Sequence, residues 1–135
     1  MRFNVVHAAL PILKEQKSGQ IALCGSVAGY IGLSGGQPYS ATKAAVMNLA
    51  ESLHAECPNH IDIKLISPGF VRTALTDKND FSMPMILTPE TAAKAIANGL
   101  HTKRFEIHFP KKFTLMLKFL RLLPYVIGLF ITKKL

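Results

Sequence analysis

The chain has no tryptophan, only two cysteines and half as many acidic as basic residues, with 8 Asp+Glu against 16 Lys+Arg. Each shortage excludes something. Cys24 and Cys57 form no CxxC pair or other metal-ligand spacing. One sits in an apolar run and the other near a helix end, which reads as two free thiols of a reducing compartment rather than a disulfide scaffold. The histidines at 7, 54, 60, 101 and 108 share no ligand spacing, so no metal is expected. The start, MRFNVVHAALPILKEQ, has no sustained apolar core and no small-residue cleavage site, so it is not a signal peptide and the chain reads as cytoplasmic. The acidic shortage is local. From His101 onward, Lys103, Arg104, Lys111, Lys112, Lys118, Arg121, Lys133 and Lys134 stand against Glu106 alone, a local excess of seven (8 − 1) in a chain of net charge +8.

What is present is enough chain for one packed domain: 135 residues, 49% hydrophobic and 18% charged, a globular rather than a disordered balance. Residues 1 to about 17 place Val5, Ala8, Ala9, Ile12 and Leu13 on one helical face, with a kink expected at Pro11 and a stop at Ser18-Gly19. QIALCG then reads as a short buried strand, followed by a glycine-rich loop and a long helix from about Pro38 to Glu56. IDIKLI is a second strand, turned sharply out by SPG. Residues 72–88 show no period and read as a flexible loop. Thr88, Pro89 and Glu90 are a helix start signal for TPETAAKAIANGL, and FEIHF is a third short strand. Helices alternating with apolar strands predict an α/β layer with a parallel sheet.

The tail, KKFTLMLKFLRLLPYVIGLFITKKL, is the most hydrophobic region, with Lys111, Thr114, Lys118 and Arg121 as one polar stripe on an otherwise apolar helix. Lys118, Arg121 and Pro124 interrupt it too often for a clean transmembrane span. Two readings stay open: a helix lying in a membrane interface, or a terminal helix covering a core or an oligomer contact. Nucleic-acid binding fits poorly, because the positive residues lie among Leu and Phe rather than in an aromatic-lined groove.

The chemistry concentrates in GSVAGYIGLSGGQPYSATK, residues 25–43. Tyr39 and Lys43 are four apart, so on a helix their polar heads reach one spot. A phenol titrates near 10, and a neighbouring ammonium favours its charged form, bringing it toward the range of a working acid–base group. Ser26, at the end of a parallel strand, offers a hydroxyl beside it. A Tyr-x-x-x-Lys spacing alone is common, and a solvated Tyr beside a Lys is its bland meaning. The ordered combination is specific: strand, Gly25-Ser26, loop, Tyr39-Ser40-Ala41-Thr42-Lys43, strand, then Pro68-Gly69-Phe70-Val71-Arg72-Thr73.

This set closely resembles the C-terminal half of the short-chain dehydrogenase/reductase family, from about Ala8 to Thr73 and more loosely beyond. The resemblance implies a partial Rossmann-like doubly wound parallel sheet over residues 1–110, with the basic amphipathic tail at 111–135 as a separate unit. It implies Tyr39 as general acid–base, Lys43 as the residue that lowers its pKa and binds the nicotinamide ribose, and Ser26 as the group that orients the substrate carbonyl. Pro68, Gly69, Val71 and Thr73 would meet the nicotinamide, and the loop after Thr73 would be the substrate lid. The implied activity is NAD(P)-dependent interconversion of an alcohol and a carbonyl on a small molecule, lipid-like if the tail contributes.

A homo-oligomer through the helices at 1–17 and 38–56 is also implied, as is the alternative of a non-catalytic dimerisation or membrane-surface protein. The departures are equally plain. The family's TGxxxGxG turn and Asn-Ala-Gly strand motif have no match, and its catalytic asparagine would fall about two positions before Met1, so Asn4 is an ordinary helix residue. The expectation is therefore a fragment of a longer reductase, lacking the dinucleotide-binding half and so inactive alone, with strand edges left open.

Overall fold

The computed structural model describes residues 2–32, 35–74, 76 and 83–133. Three parallel strands, β1 (Gly19–Cys24), β2 (Ile61–Pro68) and β3 (Glu106–Phe109), form one sheet in the order β1-β2-β3. The register runs from Gly19 opposite Ile61 to Cys24 opposite Ile66, and from Leu65 opposite Glu106 to Pro68 opposite Phe109. Strand β2 is central and buried on both faces, which is why it reads as a continuous apolar run rather than an alternation. It also runs two residues past its expected end: the pairing of Ser67 and Pro68 with His108 and Phe109 carries the strand through the expected SPG turn. A proline fits there, at the last residue of the strand.

Helices α1 (Arg2–Gln16), α2 (Tyr39–Glu56), α3 (Pro89–Leu100), α4 (Lys111–Leu122) and α5 (Tyr125–Thr132) flank the sheet, with one 3₁₀ turn at Val27–Gly29. Helix α1 runs through Pro11 to Gln16. In α2, Val46, Met47, Ala50 and Leu53 recur at helical spacing and pack against Leu23, Ile63 and Leu65 on one side of the sheet. Phe113, Leu117 and Leu120 of α4 enter the same core, so the tail helix is part of this layer. On the opposite side, Ala92 of α3 packs with Ile66, Ile107 and Phe109. Thr88 caps α3 as its sequence signal implies, its hydroxyl accepting from the Thr91 amide at 3.3 Å.

Two features were hidden in the sequence. Lys64, in the middle of β2, is fully buried; its ammonium donates to the Thr102 and Arg104 carbonyls and pairs with Asp62 at 3.2 Å. The polar stripe of the tail also points partly the wrong way for a surface helix. Thr114 is fully buried and bonded to His108 Nδ1 at 2.6 Å, and Lys118 turns inward to Glu106. Leu115, Met116, Phe119 and Leu122 are exposed instead. The tail is broken at Leu123-Pro124 into α4 and α5. Cys24 and Cys57 are unbonded to each other, and β1 leaves Gln20, Ala22 and Cys24 exposed along its length. In the loop expected over 72–88, residues 75 and 77–82 lie outside the described part, as do Lys134 and Leu135 at the end of the tail.

Candidate active site

The expected site residues gather at the C-terminal ends of β1 and β2. Gly25 leaves β1 with its amide still bonded to the Ile66 carbonyl at 2.8 Å. Ser26 follows, buried and extended, and caps a single 3₁₀ turn at Val27–Gly29 by accepting from the Ala28 amide at 3.2 Å. That turn is pressed onto α2. A Cβ at Gly29 would lie 2.6 Å from Met47 Sδ and 2.9 Å from both the Ala44 nitrogen and the Lys43 carbonyl carbon. Only glycine allows this approach. Ser40 reinforces it from the helix side by donating to the Ala28 carbonyl.

Lys43 reaches back from α2 to the strand end. Its ammonium donates to the Gly25 carbonyl at 2.8 Å and to the Cys24 carbonyl at 3.1 Å, and lies 5.4 Å from the centre of the Tyr39 ring. One cation thus ties together the backbone flanking Ser26 and the phenol one helical turn away. Tyr39 itself, at the first residue of α2, is 53% exposed and open to a ligand.

Beyond β2, the Gly69 amide bonds to the Phe109 carbonyl at 2.7 Å, and a Cβ there would come within 3.0 Å of Pro110 Cδ. Val71 bridges to Leu87. Thr73 lies in a tight turn closed by Thr76, whose hydroxyl accepts from the Thr73 amide at 2.7 Å and donates to the Val71 carbonyl at 3.1 Å. Ser40 and Thr76 were not singled out in the sequence. Their signal was available, each being a small hydroxyl residue within three positions of an expected site residue.

A second cluster adjoins the loop after Ser26. The buried Tyr30 hydroxyl donates to Glu106, Lys118 binds the other carboxylate oxygen, and the Lys118 ammonium lies 5.5 Å from the centre of the Tyr30 ring. The Ser67 hydroxyl is buried alongside without a hydrogen bond of ordinary geometry. Burial, helped by the adjacent carboxylate, pushes the Tyr30 hydroxyl well above the usual tyrosine range, so it acts as a fixed donor. Burial acts to raise the Glu106 carboxyl as well, but the donors from Lys118 and Tyr30 outweigh it and hold the group below its ordinary value. Partners 76 residues apart left no local sequence signal.

A parallel sheet with its candidate chemistry at the strand ends, a Ser in a glycine-rich turn and a Tyr–Lys pair on the following helix define a Rossmann-like α/β class. The chain belongs to the short chain dehydrogenase family, whose sequence pattern it matches over residues 2–82. It is 32% identical over 118 residues to a Myxococcus xanthus protein named as an uncharacterized oxidoreductase, covering 87% of this chain and 47% of that one. It is 34% identical over 103 residues to an Arabidopsis thaliana 11-beta-hydroxysteroid dehydrogenase-like protein (4A), covering 70% and 33%.

Among solved structures, a short-chain dehydrogenase from Streptomyces avermitilis superposes with TM-score 0.69 at 26% identity, covering 84% of this chain and 49% of that one. One from Sphingobium yanoikuyae, in complex with NADPH, gives 0.67 at 25%, covering 74% and 41%. The chain spans about half the length of the curated relatives it matches.

The donor set fits one end of a nicotinamide dinucleotide. Lys43 uses two of its three N–H donors on carbonyls, so one is left over from those two bonds, and the Thr73 hydroxyl stands beyond the β2 end. No glycine-rich turn of the TGxxxGxG type, which would cradle the pyrophosphate, exists in the sequence.

Proposed function

We propose that this chain carries the catalytic half of an NAD(P)-dependent oxidoreductase that interconverts an alcohol and a carbonyl on a small molecule. The carrying observation is the position of Lys43, hydrogen-bonded to the carbonyls of Cys24 and Gly25 beside Ser26 while lying over the Tyr39 ring. Tyr39 passes a proton to or from the substrate oxygen, and its exposure leaves the phenol open to that oxygen. Lys43 sets its ammonium against the Tyr39 ring and holds a ribose hydroxyl. Ser26 orients the substrate carbonyl. Pro68, Gly69, Val71 and Thr73 form the wall against the nicotinamide, which supplies hydride chemistry when bound.

The test is Lys43→Ala. Losing a charge-assisted hydrogen bond to the cofactor should weaken NAD(P) binding roughly 10-fold or more and lower turnover. Unchanged binding and turnover would remove Lys43 from the site.

A second reading, interaction through α1 and α2, is favoured by the exposed Phe3, Val5 and Ile12 on α1. A homo-oligomer formed there is compatible with catalysis. Phe3→Ser with Ile12→Ser would then lower the mass seen in sedimentation without changing the Lys43 result.

A further inference from the structure

Helices α4 and α5 show the outside world the face that a surface helix normally hides. On α4, Leu115, Met116, Phe119 and Leu122 recur at helical spacing and are exposed, Leu122 to 81%, while Thr114 is buried. Past Pro124, Tyr125 and Val126 are 85% and 84% exposed. Exposed apolar surface on this scale marks a place of contact.

The charges around it are of one sign. Lys111 and Lys112 open α4, Arg121 flanks its last turn and Lys133 follows α5, all exposed. Glu106, the one acidic residue after His101, is already engaged by Lys118 and Tyr30. Arg104 and Lys118 stand close enough to Lys111 to press its ammonium below the usual lysine range, after burial, the larger cause. The partner that complements this surface is therefore apolar in its depth and negative at its rim. The interface of an anionic bilayer offers both along two successive helices. Spanning is excluded for these elements. Twelve residues of α4 extend about 18 Å against a hydrocarbon core of about 30 Å, and no helix among the described residues is long and apolar enough to cross a membrane.

We propose that α4 and α5 are a docking surface for anionic lipid, with Phe119, Leu122, Tyr125 and Val126 seated between headgroups and Lys111, Lys112, Arg121 and Lys133 on the lipid phosphates. The surface stands on its own chemistry and does not depend on the oxidoreductase assignment.

The test is cosedimentation of the protein with vesicles of phosphatidylcholine alone or mixed with phosphatidylserine, at low and high salt. Binding is expected to the mixed vesicles and to weaken as salt rises. Lys111→Gln with Lys112→Gln should lower the partition constant roughly 25-fold, about fivefold for each lysine. Phe119→Ser with Leu122→Ser should abolish partition while circular dichroism stays unchanged, since both side chains are already exposed. Absence of binding to the mixed vesicles by the unaltered protein would overturn the proposal. So would equal binding to both vesicle types. It would also fall if the Phe119/Leu122 change dissolves a self-association in sedimentation velocity and leaves vesicle partition untouched, because the surface would then be a contact between copies.

Discussion

Gly29→Ala is the smallest perturbation that reaches the candidate site without touching a reacting group. The added methyl would meet Met47 Sδ at 2.6 Å, which a flexible side chain can relieve. It would also meet the Ala44 nitrogen and the Lys43 carbonyl carbon at 2.9 Å, and those belong to the α2 backbone. The turn must therefore retreat by about half an ångström to recover van der Waals separation. The Ser26–Ala28 and Ser40–Ala28 hydrogen bonds both hang on that turn. Overpacking of this kind costs about 1–3 kcal/mol, which with an ordinary dependence on denaturant lowers the urea midpoint by roughly 1 M.

Gly32 is the internal control, because a Cβ there meets nothing within 4 Å. Gly32→Ala should stay within about 0.5 kcal/mol of the unaltered protein. Urea unfolding followed by far-UV circular dichroism reads both. Equal midpoints for the two variants would refute the claim that the turn is pressed against α2.

Two further outcomes follow from the buried polar groups. Lys64→Met should cost about 2–3 kcal/mol in the same urea titration, because it strands the Thr102 and Arg104 carbonyls that the ammonium now satisfies; a neutral result would mean those carbonyls are solvated. The pH dependence has a definite sign. His108 is held below the ordinary imidazole value of 6.5 by burial and then by Lys118 and Lys111, so the folded state resists its protonation and stability falls as pH drops below 6.5. Glu106 is held below 4.5, so its contribution is present above that value and is lost as pH falls through the folded pKa. Thermal midpoints measured from pH 7 to 3 should show both losses, His108→Gln removing the first and Glu106→Gln the second; a flat profile in the unaltered protein would contradict both assignments.

Much of the fold was written in local pattern. The helical spacing of Val46, Met47, Ala50 and Leu53 and the start signal at Thr88-Pro89 needed nothing beyond their neighbours, and the structure follows them. The end of β2 is not legible locally, because Pro68 looks like a turn residue, while the strand's pairing with β3, some forty residues on, overrides that preference. The tail misled in a different way. Periodicity grouped Lys111, Thr114, Lys118 and Arg121, but could not say which side of the helix faces the sheet; His108 and Glu106 decide that by drawing Thr114 and Lys118 inward. The candidate set, still a proposal, was legible as spacing and order. Its anchoring was not, because the carbonyls that hold Lys43 and the Glu106 that holds Tyr30 are brought close only by the fold.

The most direct test of the central claim is turnover of a nicotinamide-linked carbonyl reduction by this chain joined to a dinucleotide-binding half, Tyr39→Phe beside the unaltered sequence, with circular dichroism on both. Tyr39 is exposed, with its ring against the Lys43 cation, so the phenylalanine variant, which keeps the ring, should fold alike. Loss of a positioned acid–base group predicts a rate lower by about 10²–10⁴-fold. An unaltered rate in a normally folded variant would contradict the assignment of Tyr39, and with it the account of this site.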